Sequence, residues 1–313
     1  MKPSFAVFLI CCFVLCVGAN LSLPPFSRAE SPAPSATPAT GIPGLPPSAR
    51  ALLDVPYVTN GQPRQKLDLY LPATPKGPLL VWIHGGGWRA GTKGNPPGLA
   101  MVAAGFAVAS LEYRFSQDAI FPAQIQDCKA AIRWLRAHAK EYGYDPKRVA
   151  VWGASAGGHL AALLAVTGQV RDFDVGENLD QSSAIQCGVD LFGPADFPAY
   201  DPSLPEPMVQ RENPDSVIAQ LLGGTVSKKM ELAKRASPVN WVTKNAAPLL
   251  IMQGTKDPLV PADQSQRLGD KLKAAGAEVK LEIIEGAGHG TKEFWTNETL
   301  KTIAEFIVIH LSS

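Results

Sequence analysis

Val149-Ala150-Val151-Trp152-Gly153-Ala154-Ser155-Ala156-Gly157 is the stretch that decides the reading of this chain. The apolar run 149–152 predicts a buried strand, and the Ala- and Leu-rich residues 155–166 predict a helix. Gly153, Ser155 and Gly157 between them fit G-x-S-x-G, in which a strand turns sharply into a helix and leaves a serine hydroxyl exposed at the bend. Gly153 and Gly157 carry no Cβ, so strand and helix can approach closely there, and Ala156 keeps the bend uncrowded. The motif is short enough to arise by chance, so its setting matters.

That setting is an alternation of strands and helices. Largely apolar runs at 79–83, 106–111, 185–191, 248–252 and 279–284 read as strands of a mostly parallel sheet covered on both faces. Residues 66–71 alternate apolar with polar and are expected to form a half-exposed antiparallel edge strand. Ile125, Cys128, Ile132 and Leu135 recur at helical spacing, and Asp145-Pro146 marks the turn that follows. The expected fold class is α/β, with right-handed crossovers, helices on both faces and a site beyond the carboxyl ends of the strands. Residues 196–234 carry many prolines and interrupt the alternation. They are expected to form a small cap insertion with a short helix at 216–222, a surface loop being the alternative.

The chain has 313 residues, 46% of them apolar, and a formal net charge of +1. Its length suits one large domain or two modest ones. The charge balance and the lack of a basic stripe argue against nucleic acid or an anionic membrane as main partner. Lys2 followed by the apolar run 5–17 reads as an export signal. Small-x-Ala sites end at Ala19 and Ala29, and cleavage after Ala29 is expected because Pro24 and Pro25 close the apolar region. An uncleaved anchor is the alternative, since residues 5–23 approach a bilayer-spanning length. Residues 30–50 are rich in Pro, Ala and Ser and are expected to be a disordered linker, leaving a folded domain at 51–313. Removal of residues 1–29 leaves Cys128 and Cys187, for which a disulfide and two buried thiols both remain open.

A serine hydroxyl is a weak nucleophile until a base takes its proton, so Ser155 needs an imidazole partner. The chain offers five histidines. His289 lies in Gly286-Ala287-Gly288-His289-Gly290, where small neighbours let the ring swing, and is the expected base. His138 falls on the polar side of a helix and His310 three residues from the end. His159, one turn past Ser155, is aimed beyond the hydroxyl. His84 is expected to pin the glycine loop that it opens. Asp257, just beyond the run 248–252, is expected to hold the imidazole in one tautomer and stabilise its charged form. An Asx turn before Pro258 is the alternative role for that carboxylate. Asp196 is the second acid candidate, and Asp127 reads as structural. The loop His84-Gly85-Gly86-Gly87-Trp88 offers backbone N–H groups to an oxyanion, and Gly86, Gly87 and Ala156 are the expected donors, with Trp88 N–H as a one-residue alternative. Trp88 itself is expected to pack or line a pocket. The chain has no H-E-x-x-H, no paired Cys-x-x-Cys after residue 29 and no dinucleotide G-x-G-x-x-G, so no metal or cofactor is expected.

In this combination the chain resembles the α/β-hydrolase superfamily, whose triad follows the chain order Ser, Asp, His. Within it, the H-G-G-G-W loop resembles an esterase branch, as do Glu112-Tyr113-Arg114, Phe121-Pro122-Ala123-Gln124 and Asp257-Pro258-Leu259-Val260-Pro261. From Ala51 onward the chain is similar to bacterial acetyl-xylan and feruloyl esterase-type hydrolases, the BD-FAE group. That resemblance implies hydrolysis of short acyl or cinnamoyl esters, including esters on polysaccharides. Ala154 stands where hormone-sensitive-lipase-like relatives carry Asp, a departure from that subgroup which leaves the triad intact. Arylformamidases share an H-G-G-x-W loop, so amide hydrolysis is the alternative activity. A non-catalytic binding module is a third reading, but such proteins usually lose a triad member, and all three candidates are present here. The expected partner is a small-molecule or polysaccharide-linked ester, with no nucleic acid and no stable membrane partner once the signal is removed. The expected location is secreted or periplasmic.

Overall fold

Each apolar run becomes a strand of one sheet. The structure, a computed structural model, describes residues 37–38, 42–201 and 205–312. Among the described residues the strands are β1 (Thr37–Pro38), β2 (Arg50–Pro56), β3 (Lys66–Leu71), β4 (Leu79–Ile83), β5 (Ala107–Leu111), β6 (Val149–Ala154), β7 (Cys187–Leu191), β8 (Leu249–Gly254) and β9 (Val279–Ile284). They lie in the order β1-β2-β3-β5-β4-β6-β7-β8-β9. Neighbours from β5 to β9 are parallel, and the three pairs that join β1, β2, β3 and β5 are antiparallel.

The helices are α1 (Ala100–Ala103), α2 (Ala123–Ala137), α3 (Ala139–Tyr142), α4 (Ala156–Val166), α5 (Val217–Leu222), α6 (Met230–Ala236), α7 (Ala262–Ala275) and α8 (Asn297–Leu311). Side chains alternate across a strand, so each central strand feeds two cores. Val81, Ile83, Val149 and Val151 face the cluster that takes in Ile132 of α2, Leu160 of α4 and Leu268 of α7. Leu80, Trp82, Ala150 and Trp152 face the cluster that takes in Val102 of α1 and Ile303 of α8. Cys128 and Cys187 belong to opposite clusters and are free, so the disulfide alternative falls.

Three expectations are corrected. Residues 66–71 are antiparallel but interior, because β2 pairs along their outer side. The register of β2 shifts between Leu52 and Val55, which breaks the period-two pattern that would have revealed it. Asp68 on β3 is buried and is compensated by Lys93 Nζ at 2.9 Å and the backbone N–H of Asp54 at 2.8 Å. β9, in contrast, is half-exposed at the sheet edge, and its Lys280 and Glu282 alternate with apolar residues. The linker expected at 30–50 also ends early. Leu45 and Ala49 are buried in the cluster with Tyr70, Leu99 and Phe106, and Thr37–Pro38 pairs with Ala51 and Arg50. The export signal expected at 1–29 lies outside the described residues.

The insertion at 196–234 supplies α5 and most of α6, with short 3-10 turns at Phe197–Ala199, Pro207–Val209 and Ser227–Lys229. Ser216 caps α5 by accepting a hydrogen bond from Ala219 N at 3.1 Å. The other end of α5 is fixed by Leu221 O, which accepts from Phe121 N.

Candidate active site

Ser155 sits between β6 and α4 with φ +55° and ψ −120°, a conformation that a residue with a Cβ holds only when its surroundings impose it. The surroundings here are tight. A Cβ on Gly157 would collide with Ile83 O, and one on Gly153 with Gly157 O. Ser155 N also donates to Leu191 O of β7 at 2.8 Å. The bend therefore has one shape, and it turns the hydroxyl out beyond the sheet.

His289 meets that hydroxyl. Its Nε2 lies 2.8 Å from Ser155 Oγ, and its Nδ1 lies 2.7 Å from Asp257 Oδ2. An ionised carboxylate only accepts hydrogen bonds, so Nδ1 carries the proton and Nε2 presents its lone pair to the serine. Both carboxyl oxygens of Asp257 are engaged. Oδ1 accepts from Leu259 N at 2.9 Å and Val260 N at 2.8 Å, closing the turn, while Oδ2 holds the imidazole and also accepts from Gln253 Nε2 at 3.2 Å. The histidine loop is tied to the loop after β8 by Lys256 N donating to Ala287 O at 2.9 Å and Gly286 N donating to Thr255 Oγ1 at 2.8 Å.

The glycine loop lies against the elbow. A Cβ on Gly85 would stand 3.2 Å from Ser155 Cβ, and one on Gly87 would stand 3.0 Å from Val217 of α5. Gly86, Gly87 and Trp88 all have positive φ, at 105°, 59° and 57°. Gly86 O accepts from Arg89 N and Ala90 N, which curls the loop. His84 pins it as expected: Nδ1 is 2.7 Å from Gly85 O, the ring stacks on Tyr113 and its carbonyl accepts from Tyr113 Oη at 3.1 Å. Burial pushes the His84 imidazole below its ordinary pKa. The N–H groups of Gly86, Gly87, Trp88 and Ala156 find no acceptor among the described residues. Ala156 heads α4, where the helix dipole is positive. Unfilled donors beside an activated hydroxyl can stabilise negative charge on an acyl oxygen.

The other candidates are engaged elsewhere. Asp127 is buried against the Arg114 guanidinium and accepts from Gln65 Nε2 at 2.8 Å, a structural role. Asp196 lies beyond β7 with its N–H on Gln264 Oε1, and burial raises its carboxyl pKa. His138 and His310 each place Nδ1 on a carbonyl one turn back, Trp134 O and Phe306 O. His159 is fully buried, and burial lowers it to about 4. Among the described residues no group of three or more His, Cys, Asp or Glu side chains could hold a metal ion.

Residues 67–272 match the BD-FAE family model. The chain belongs to the BD-FAE family. Esterase LipC of Mycobacterium tuberculosis is 30% identical over 275 residues, which is 83% of this chain and 65% of LipC. Esterase LipQ of the same organism is 32% identical over 237 residues, 72% of this chain and 53% of LipQ. The chain thus spans about half to two thirds of the length of these curated relatives. A truncated carbohydrate esterase from gut microbiota superposes with a TM-score of 0.74 at 31% identity, over 84% of this chain and 96% of that one. The fold of this BD-FAE chain is that of the α/β-hydrolases. The family match takes in Ser155 and Asp257 and stops short of His289, which the geometry adds.

Two residues of this BD-FAE chain beside the site escaped sequence reading. Phe192, at φ +44° just after β7, sets its ring edge-on to His289 at 4.7 Å and rests on Phe294 at 4.6 Å. Asp190 is buried beneath α4, with Oδ1 accepting from Gly193 N at 2.9 Å and Oδ2 without a partner, and burial raises it to about 7. Neither belongs to a local motif. The signal available for Asp190 was an acidic residue inside an apolar strand.

Proposed function

We propose that this protein hydrolyses carboxylic esters with Ser155 as nucleophile, His289 as general base and then acid, and Asp257 as the group that orients the imidazole. The observation that carries this reading is the continuous relay from Ser155 Oγ to His289 Nε2 at 2.8 Å and from His289 Nδ1 to Asp257 Oδ2 at 2.7 Å. As Oγ attacks the acyl carbon, its proton passes to Nε2. The carbonyl oxygen becomes an oxyanion, which the N–H groups of Gly86, Gly87 and Ala156 receive, each such donor contributing on the order of 10²–10³ in rate. Collapse of the tetrahedral species expels the alcohol, which takes the proton back from Nε2. Water repeats the sequence on the acyl-enzyme and releases the acid.

Short acyl and feruloyl esters, including those carried by polysaccharides, are the proposed substrates. The likeness to a carbohydrate esterase supports that class. Residues 196–234 act as the cap, with Val217 packed on the oxyanion loop. Secretion or periplasmic export follows from the reading of residues 1–29. Ser155→Ala tests the assignment. It should fold with an unchanged thermal midpoint, fail to turn over p-nitrophenyl acetate and lose labelling by a fluorophosphonate probe. Retained turnover would overturn the reading. Acetyl, butyryl and feruloyl esters, acetylated xylan and N-formylkynurenine assayed side by side rank the substrates. Preference for the last would move the activity to amides.

A further inference from the structure

Trp88 is the residue of the oxyanion loop whose conformation is hardest to hold. It follows two glycines, has a Cβ, and still sits at φ +57°. Its indole is buried, edge-on to His159 (ring centres 5.2 Å apart) and to Phe197 (5.7 Å). Indole Nε1 donates to His159 Nδ1 at 3.2 Å. His159 lies on α4 one turn beyond the nucleophile, and its own N–H donates to Ser155 O at 2.9 Å. The far side of the ring, Nε2, donates to Ala236 O at 2.7 Å, where α6 ends.

An indole N–H donates and cannot accept, so Nδ1 of His159 must be bare and Nε2 must carry the proton. In that tautomer Trp88 Nε1 and both ring nitrogens of His159 each have a partner. One imidazole thereby joins the helix that carries Ser155, the loop that offers the oxyanion donors and the inserted layer that ends at α6. We infer that His159 is a positioning residue: through Trp88 it fixes the oxyanion loop against Ser155, and through Ala236 it ties that loop to the insertion. The inference rests on the proposed ester hydrolysis but goes beyond the triad. The oxyanion donors act only in the transition state, so loosening them lowers kcat and leaves KM nearly unchanged.

The two hooks can be separated. His159→Asn places an amide oxygen near the position of Nδ1 and keeps an acceptor for Trp88. His159→Gln reaches toward Ala236 O and gives up Trp88. Trp88→Phe keeps the ring and removes the donor. With p-nitrophenyl acetate, at a temperature well below the melting midpoint, His159→Gln and Trp88→Phe should each lose kcat by roughly 10- to 100-fold with KM within about twofold, the scale of a small misplacement of reacting groups. His159→Asn should recover most of that loss. The double variant Trp88→Phe/His159→Gln should be no worse than either single one, because both break one link. An unchanged kcat in both single variants, with only the melting midpoint lowered, would reduce His159 to a core residue and overturn the inference. Should the histidine variants fail to fold, Trp88→Phe decides alone: normal kcat refutes the link. Activity surviving in Ser155→Ala would instead strike at the ester-hydrolase reading, so the two failures are distinguishable.

Discussion

Asp190→Asn should give this protein a pH dependence of stability that the natural chain conceals. Asp190 is wholly buried, and burial raises it from 3.8 to about 7. His159 is buried too, and burial lowers it from 6.5 to about 4. Between pH 3.8 and 7 the folded protein keeps a proton on Asp190 that the unfolded chain has released. The Asp190 contribution is therefore fully present below pH 3.8 and is lost as pH rises to about 7, roughly 4 kcal/mol in all. His159 works in the opposite direction. Its contribution is fully present above pH 6.5 and is lost as pH falls to about 4, roughly 3 kcal/mol in all, because the unfolded chain takes up a proton that the folded ring refuses. Over about pH 4–6.5 the two differences are one proton each with opposite sign, so their slopes cancel. Asn in place of Asp190 keeps an acceptor for Gly193 N and removes one of the two. Urea midpoints of both proteins at pH 4.5, 5.5, 6.5 and 8 provide the measurement. The difference, variant minus natural chain, should climb by about 1.4 kcal/mol per pH unit through the window and level off above pH 7. Other titrating groups are common to both proteins and drop out of it. A difference that stays constant with pH would refute a proton held on buried Asp190.

Two further outcomes test the site's construction. Asp257→Asn keeps an acceptor for Leu259 N and Val260 N but can offer an N–H to His289, so kcat should fall by about 10⁴ with folding intact, as a misassigned tautomer requires. A mild loss would remove Asp257 from the relay. Gly157→Ala forces a Cβ into Ile83 O and should cost about 1–3 kcal/mol in denaturant stability, with a loss of activity as the elbow shifts off β4. An unchanged midpoint would show that the close approach of α4 to β4 is not a constraint.

The site was legible where steric necessity leaves residues with few substitutes. Gly153 and Gly157 are needed because backbone oxygens occupy the space a Cβ would take, and the two glycines before Trp88 are needed because the loop curls at positive φ. Such demands are local, so they show in a short window of sequence. The strands β4 to β8 were legible for a related reason: burial on both faces leaves mostly apolar runs, with Ser110, Asp190 and Gln253 as the polar exceptions. What stayed hidden depends on distant partners. β2 has an irregular register and takes its place from pairing with β3. Asp68 reads as a solvent-facing residue until Lys93 and Asp54 are seen around it. His159 could be set aside as base from helix geometry alone, but its tie to Trp88 spans 71 residues and its tie to Ala236 spans 77.

Phe192 shows why the histidine needs more than its own loop. Parallel strands deliver their carboxyl ends to one edge of the sheet, so Ser155 follows β6, Phe192 follows β7, Asp257 follows β8 and His289 comes after β9. Neighbouring strands lie about 4.8 Å apart, so the loop that carries His289 must cross back over three intervals, roughly 14 Å, to bring its imidazole to the serine. Asp257 supports it one strand in, by a hydrogen bond. Above β7, Phe192 meets the imidazole edge-on at 4.7 Å, backed by Phe294. Phe192 holds a positive φ there, +44°. The imidazole thus has a support on each strand between its own and that of Ser155, a hydrogen bond at β8 and ring packing at β7.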